Sequence, residues 1–160
     1  MKGVNELPSN WQMERRGATD PMIEKMVADY LAELLLVMPD FDPTRAAPTV
    51  PSDFDWPNGS FVLVRVETEP IACGALRRLS RDIGELRRMW VGPAWRGRGA
   101  GRLLLGALED LAKEMQLTEL RLDTNRKLGT AIALYRSAGF VEVQRYNDNE
   151  FADIWMSKGL

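Results

Sequence analysis

The 160-residue chain contains no histidine. That absence removes the commonest general base and the commonest metal ligand. No Ser-His-Asp or Cys-His nucleophile can be assembled within it, nor any zinc site that needs imidazole. Cysteine occurs once, as Cys73, which excludes a disulfide framework and fits a reducing compartment. No apolar run approaches the roughly 20 residues of a membrane span, and residues 1–10 lack an apolar signal core. A dominant charge is missing too: 21 basic side chains stand against 23 acidic ones. No global basic field therefore calls for nucleic acid. The expectation is a cytoplasmic protein with neither membrane nor nucleic acid as partner. Hydrophobic residues make up 45% of the chain, enough for a single domain over residues 1–160 with its own core.

What is present is ordered by periodicity. Residues 11–15 read as a short strand. Asp20 has the character of an N-cap with Pro21 at the first helical position, and Ile23, Met26, Val27, Tyr30, Leu31, Leu34 and Leu35 recur at helical spacing to about Val37. Residues 39–59 carry five prolines and read as a long irregular stretch, either a lid or a connector. Strands are predicted over 61–66, 71–76 and 83–91, the first two as a hairpin. An amphipathic helix over 101–115 follows, with Leu104, Leu108, Leu111 and Met115 on one face. A short strand around 120–122 comes next, then a helix over 128–138 stopped by Gly139, and a closing hairpin from 140–144 and 151–156. That order predicts an α/β (α+β) fold, a mixed sheet with helices on its faces.

The most informative segment is Arg96-Gly97-Arg98-Gly99-Ala100-Gly101-Arg102, set between a strand and a helix. Glycines there allow close backbone approach, and successive N–H groups with a helix N-terminus suit phosphate. The Gly-Lys-Ser/Thr of a Walker loop is absent, and Arg102 stands where a dinucleotide fingerprint needs glycine. From Arg77 to Arg102 there are eight arginines against Asp82 and Glu85. A solvated basic surface explains most of them, and some are left to face the phosphates of a cofactor.

The strand through Glu85, Met89, Trp90 and Val91, followed by this glycine turn, resembles the central motif of the GNAT acetyltransferases, Arg/Gln-x-x-Gly-x-Gly/Ala. Ala131, Leu134, Tyr135, Gly139 and Phe140 resemble the family's second motif. The resemblance covers about residues 61–158 and implies a mostly antiparallel central sheet with helices on both faces. It implies acetyl-CoA as co-substrate, with Met89, Trp90 and Val91 along its pantetheine arm and the turn from Arg96 through Arg98, Gly99 and Ala100 to Arg102 around its pyrophosphate. Tyr135 falls where the family often places the acid for the departing thiolate, and Glu85 where some members place the base. Many relatives carry an asparagine three residues before the alanine matching Ala131. Here that slot is Leu128, and Asn125, three residues earlier, is the candidate for that contact.

Acetyl transfer to an amine needs a neutral amine, a positioned carbonyl, an oxyanion donor and a proton for sulfur. Without histidine, Glu85 is the candidate base, with a salt bridge to Arg87 or Arg88 as the alternative. Tyr135 is protonated at neutral pH without tuning, and its alternative is a core tyrosine. Cys73, between Ala72 and Gly74, reads as a buried small hydrophobe. For the acceptor, Asp40, Asp42, Asp53 and Asp55 with Phe41, Phe54 and Trp56 suit a cationic amine. The turn from Asn147 to Glu150 offers further polar groups. The leading expectation is a small-molecule amine N-acetyltransferase working by direct attack, as monomer or homodimer. A peptide acetyltransferase and a non-catalytic acyl-CoA-binding module are the alternatives.

Overall fold

A computed structural model describes residues 7–46 and 48–160. Its strands are β1 (Trp11–Arg16), β2 (Gly59–Val66), β3 (Glu69–Arg78), β4 (Ile83–Val91), β5 (Glu119–Thr124), β6 (Val141–Val143) and β7 (Ile154–Gly159). Its α-helices are α1 (Pro21–Val37), α2 (Ala100–Glu114) and α3 (Gly129–Ser137), with short 3-10 turns at Pro51–Phe54 and Pro93–Trp95. The strands form one sheet in the order β1-β2-β3-β4-β5-β7-β6. Every neighbouring pair is antiparallel except β4 and β5.

Helices cover both faces. On one, Ile23 and Met26 of α1 pack with Phe54, Phe61, Leu63, Cys73 and Ala75. On the other, Leu104, Leu108 and Leu111 of α2 and Ile132 of α3 join Val62, Val64, Ala72 and Leu76. Each fully buried leucine contributes about 1.5–3 kcal/mol, so a charge placed at Leu108, which is 0% exposed, would break this layer. The helix ends follow local chemistry. The Asp20 carboxylate accepts the Met22 N–H at 2.9 Å, and α3 gives way at Gly139, whose φ is +100°.

The long stretch after α1 is not uniform. Phe54, 3% exposed, is buried beneath β2, so the 3-10 turn belongs to the core of the α1 face. β2 begins at Gly59, and β3 extends beyond 71–76 at both ends.

Two irregularities in β4 position the site. Between Cys73↔Trp90 and Ala75↔Arg87, one residue of β3, Gly74, faces two of β4, Arg88 and Met89. This is a β-bulge, and Arg88 takes a left-handed φ of +53°. A Cβ at position 74 would lie 2.6 Å from the Met89 sulfur, so the glycine admits the bulged strand. The bulge sends Arg88 toward α1 and Met89 toward α2. The second irregularity is that β4 pairs with β5 only from Ile83↔Glu119 to Glu85↔Arg121. Beyond Glu85 the strands separate, and the β5-facing edge of Leu86–Val91 pairs with no described strand.

Candidate active site

The separation of β4 and β5 opens a cavity of about 660 Å³, lined by the far half of β4, the end of β5, the N-terminal parts of α2 and α3, and the outer half of α1. Met89, Trp90 and Val91 line it. So do Arg96, Gly97, Gly99, Ala100, Gly101, Arg102, Asn125 and Tyr135. Arg98 lies outside it, stacked over the Trp95 ring at 4.9 Å, and so does Glu85.

The glycine turn has the shape an anion needs. Gly97 and Gly99 have φ of +74° and +89°, and a Cβ at either would meet nothing within 4 Å. Gly99 is also the N-cap of α2 and provides no side-chain cap, which leaves first-turn N–H groups without a partner from that residue. Gly101 serves packing instead: a Cβ there would lie 3.2 Å from Leu134 of α3. The Arg96 guanidinium is engaged, donating to Glu33 at 2.6 Å and to the Val91 carbonyl at 3.0 Å. Glu33 also accepts the Trp90 indole N–H at 2.5 Å, so α1, β4 and the turn are tied at one carboxylate. Arg102 donates to Ser137 of α3. The Asn125 amide donates to the Phe151 carbonyl at 2.9 Å and accepts the Lys127 N–H at 3.0 Å. It shapes the wall between β5 and α3.

The two candidate catalytic side chains have opposite surroundings. Tyr135 is 7% exposed and packs edge-on against Phe140. Its hydroxyl has no hydrogen-bond partner among the described residues, and the residue lines the cavity. Burial pushes this hydroxyl well above its ordinary value, with Tyr30 and Asp123 adding to the effect. Glu85, 1% exposed, is saturated. It accepts from Arg77 at 3.0 Å, from Arg87 at 3.2 Å and from the Tyr146 hydroxyl at 2.8 Å. The salt bridge with Arg87 is formed, with Arg77 rather than Arg88 as the second partner.

Several cavity residues were not singled out from sequence. Asp123 of β5 accepts from Asn147 at 2.6 Å and Asn149 at 3.0 Å, with Arg87 at 3.8 Å. Tyr30 of α1 is pushed up to about 12, first by burial. Arg88 also faces the cavity. Tyr30 looked like one more apolar-face position of a helix, and Asp123 had no motif around it. The two halves of residues 39–59 separate here. Phe41, Pro43 and Ala46 line the cavity, whereas Asp53 and Asp55 do not. Asp53 caps the Val50 N–H and pairs with Arg77, and Trp56 lies under Arg15. The acceptor hypothesis for those aspartates is thus corrected. Phe41 meets Phe151 edge-on at 5.0 Å, and Arg45 pairs with Glu150 at 2.5 Å. This contact joins the loop after α1 to the turn before β7. The lone thiol, Cys73, is buried and pushed up to about 12 by that burial, which suits packing rather than nucleophilic attack. Among the described residues no group of three or more histidine, cysteine or acidic side chains could hold a metal ion. No described helix is long and apolar enough to cross a membrane.

A mixed sheet split between two parallel strands, with an unpaired edge running into a glycine turn, frames this cavity. The chain matches the acetyltransferase (GNAT) family over residues 29–140, and it belongs to that family. It is 38% identical over 87 residues to the IAA acetyltransferase of Azospirillum brasilense, a stretch covering 54% of this chain and 57% of that protein. It is 36% identical over 94 residues to an uncharacterised N-acetyltransferase of Escherichia coli (strain K12), covering 56% of each. The chain therefore matches little more than half the length of these relatives. Among solved structures, a GNAT-family acetyltransferase from Staphylococcus aureus Mu50 aligns with a TM-score of 0.78 at 16% identity, covering 93% of this chain and 98% of that one. A GNAT-family acetyltransferase from Elizabethkingia anophelis, solved with acetyl-CoA bound, aligns with a TM-score of 0.67 at 20% identity, covering 96% and 100%.

Proposed function

We propose that the protein transfers an acetyl group from acetyl-CoA to the amine of a small molecule, by direct attack with both substrates bound. One observation carries this reading: the unpaired β4 edge leads into the open cradle at Gly97 and Gly99, and the unpartnered Tyr135 hydroxyl lines the same cavity. The β4 edge from Leu86 to Val91 holds an extended amide-bearing arm as an added strand would be held. The turn's N–H groups and the start of α2 hold the phosphates. Bound there, acetyl-CoA supplies an acetyl group activated as a thioester. Tyr135 gives its proton to the leaving sulfur. Its raised value does not oppose this, because burial raises a thiol as well, as it does at Cys73.

Glu85 acts as a structural anchor in this reading, since it lies off the cavity and ties Arg77, Arg87 and Tyr146 together. Asp123, held by two side-chain amides, is the carboxylate that receives the amine. The Phe41–Phe151 and Arg45–Glu150 contacts narrow the acceptor side, which favours a small molecule over a peptide. The test is an amine panel assayed for free thiol release, with mass analysis of the products. Tight acetyl-CoA binding with no acetylated amine from any panel member would leave a binding module in place of an enzyme.

A further inference from the structure

Of the eight arginines between Arg77 and Arg102, Arg88 is the half-buried one without a partner. Arg77 and Arg87 share Glu85, Arg96 holds Glu33, and Arg78 caps the Met115 carbonyl. Arg98 stacks on Trp95, Arg102 meets Ser137, and Arg81 is exposed. No described residue gives the Arg88 guanidinium a hydrogen bond, a carboxylate or an aromatic ring. Its surroundings oppose its charge, first through burial and then through Arg87. A planar fork of donors kept half out of water with nothing to bind is costly. Its backbone is also held in the left-handed region, at φ +53°. Such an outlier in a bulky residue, beside a cavity, points to function.

Its position says what kind of group is missing. Arg88 lines the main cavity and also a smaller one of about 390 Å³ against α1, walled by Val27, Leu31, Phe54 and Phe61. It stands three residues before Val91, about 10 Å back from the end of the strand that leads to the glycine turn, so the phosphates of the co-substrate lie elsewhere. Tyr30 is within electrostatic reach of Arg88, Arg87 and Asp123 together. An arginine and a carboxylate therefore flank one tyrosine. Glu24 is the acidic residue on the smaller cavity, and it is exposed and unpaired with Arg88.

We propose that Arg88 recognises a carboxylate on the acceptor, so that the substrate class is amino carboxylates, amines that also carry a carboxylate group. This rests on the acetyltransferase reading above and narrows its acceptor. The carboxylate docks on Arg88, apolar substituents occupy the α1-side cavity, and the amine turns toward Asp123 and Tyr135.

The probes are the proteinogenic amino acids and short ω-amino carboxylates, each paired with its carboxamide. In the wild type the best carboxylate should exceed its amide in kcat/KM by about 10- to 100-fold, as expected for a hydrogen-bonded charge pair. Arg88→Met should abolish most of that preference through the acceptor KM and leave the acetyl-CoA KM unchanged. Arg88→Lys, which keeps the charge and loses the fork, should retain part of it. Equal use of acid and amide by the wild type overturns the proposal, as does an unchanged preference in folded Arg88→Met. If Arg88→Met does not fold, the wild-type pairs and Arg88→Lys decide. If no amine releases thiol, the acetyltransferase reading fails. Calorimetric titration of the same pairs into protein with coenzyme A then decides separately: carboxylate-selective binding lost in the variant upholds Arg88 as an anion site, and unselective binding or none overturns it.

Discussion

The two ends of β4 differ in what satisfies them. At the near end, Ile83–Glu85 pairs on both sides, with β3 and β5. Glu85 there is the centre of a chain of charges running from Asp53 through Arg77 and Arg87 to Asp123. At the far end, among the described residues, one backbone edge is bare, Arg88 has no partner, and the nearby Tyr135 hydroxyl is free. Unused bonding capacity therefore marks the site better than charge does. The near end is the more strongly charged of the two, yet of its carboxylates only Asp123 lines the cavity.

Perturbing the far end should therefore remove activity at little expense in stability. Tyr135→Phe keeps the ring against Phe140 and removes only the hydroxyl. It should lower kcat by ~10²–10⁴, the usual worth of a general acid, with acetyl-CoA affinity near wild type. Single-turnover kinetics with calorimetry would check this, and an unchanged chemical rate would make Tyr135 a packing residue.

Perturbing the near end should do the reverse. Glu85→Ala removes the carboxylate that Arg77 and Arg87 share, with side chains 16% and 11% exposed, and leaves them the longer contacts to Asp53 at 3.3 Å and Asp123 at 3.8 Å. A buried charge left wholly alone costs about 3–5 kcal/mol, an upper bound that the remaining carboxylates reduce. The variant should lose part of that in denaturant titration while its folded fraction keeps a comparable turnover. A specific collapse of kcat with full stability would restore Glu85 as the base.

Gly99→Val sharpens the contrast from the cofactor side. A valine at φ +89° strains the backbone by about 1–2 kcal/mol and projects methyl groups into the empty cradle. Acetyl-CoA affinity should fall at least about tenfold, read by calorimetry. Gly101→Val is a poorer probe, because its side chain would press on Leu134 rather than on a ligand.

The smallest effect is expected at the rim. Arg45 and Glu150, with side chains 58% and 47% exposed, form a surface pair of the kind worth under about 1 kcal/mol. Arg45→Ala should leave the melting temperature nearly unchanged and alter the acceptor KM more than the acetyl-CoA KM. An effect on acetyl-CoA alone would place this contact beside the cofactor instead.

Much of this architecture could be read before any coordinates, because it follows from local pattern. The N-cap at Asp20, the leucine face of α2, the stop at Gly139 and the full extent of Ile83–Val91 are properties of contiguous residues. The glycine turn was legible for the same reason. What escaped notice depends on pairs of distant segments. The bulge is a mismatch between β3 and β4, and its one sequence trace is Gly74. Which arginine meets which acid is decided by register, so Arg88 looked like Arg87. Residues 39–59 looked like one loop because proline marks irregular backbone but not the face it covers. Phe54 turned into the α1-side core while Phe41 turned to the cavity.

The bulge at Arg88 and Met89 also works like a shifted reading frame. It inverts the in-out alternation of every β4 residue after it, which is why Trp90 reaches Glu33 on α1 while Met89 and Val91 face α2. Deleting Arg88 would leave Arg87, Met89 and Trp90 opposite Ala75, Gly74 and Cys73 and so keep those faces, whereas pairing the strand regularly with every residue retained would exchange them. The indole would be driven into the leucine layer, and Glu33 and Arg96 would lose the strand they hold. A deletion of Arg88 should therefore disturb α1, the glycine turn and the cavity wall less than a residue inserted beside Gly74, which would pair with the extra β4 residue and force the exchange.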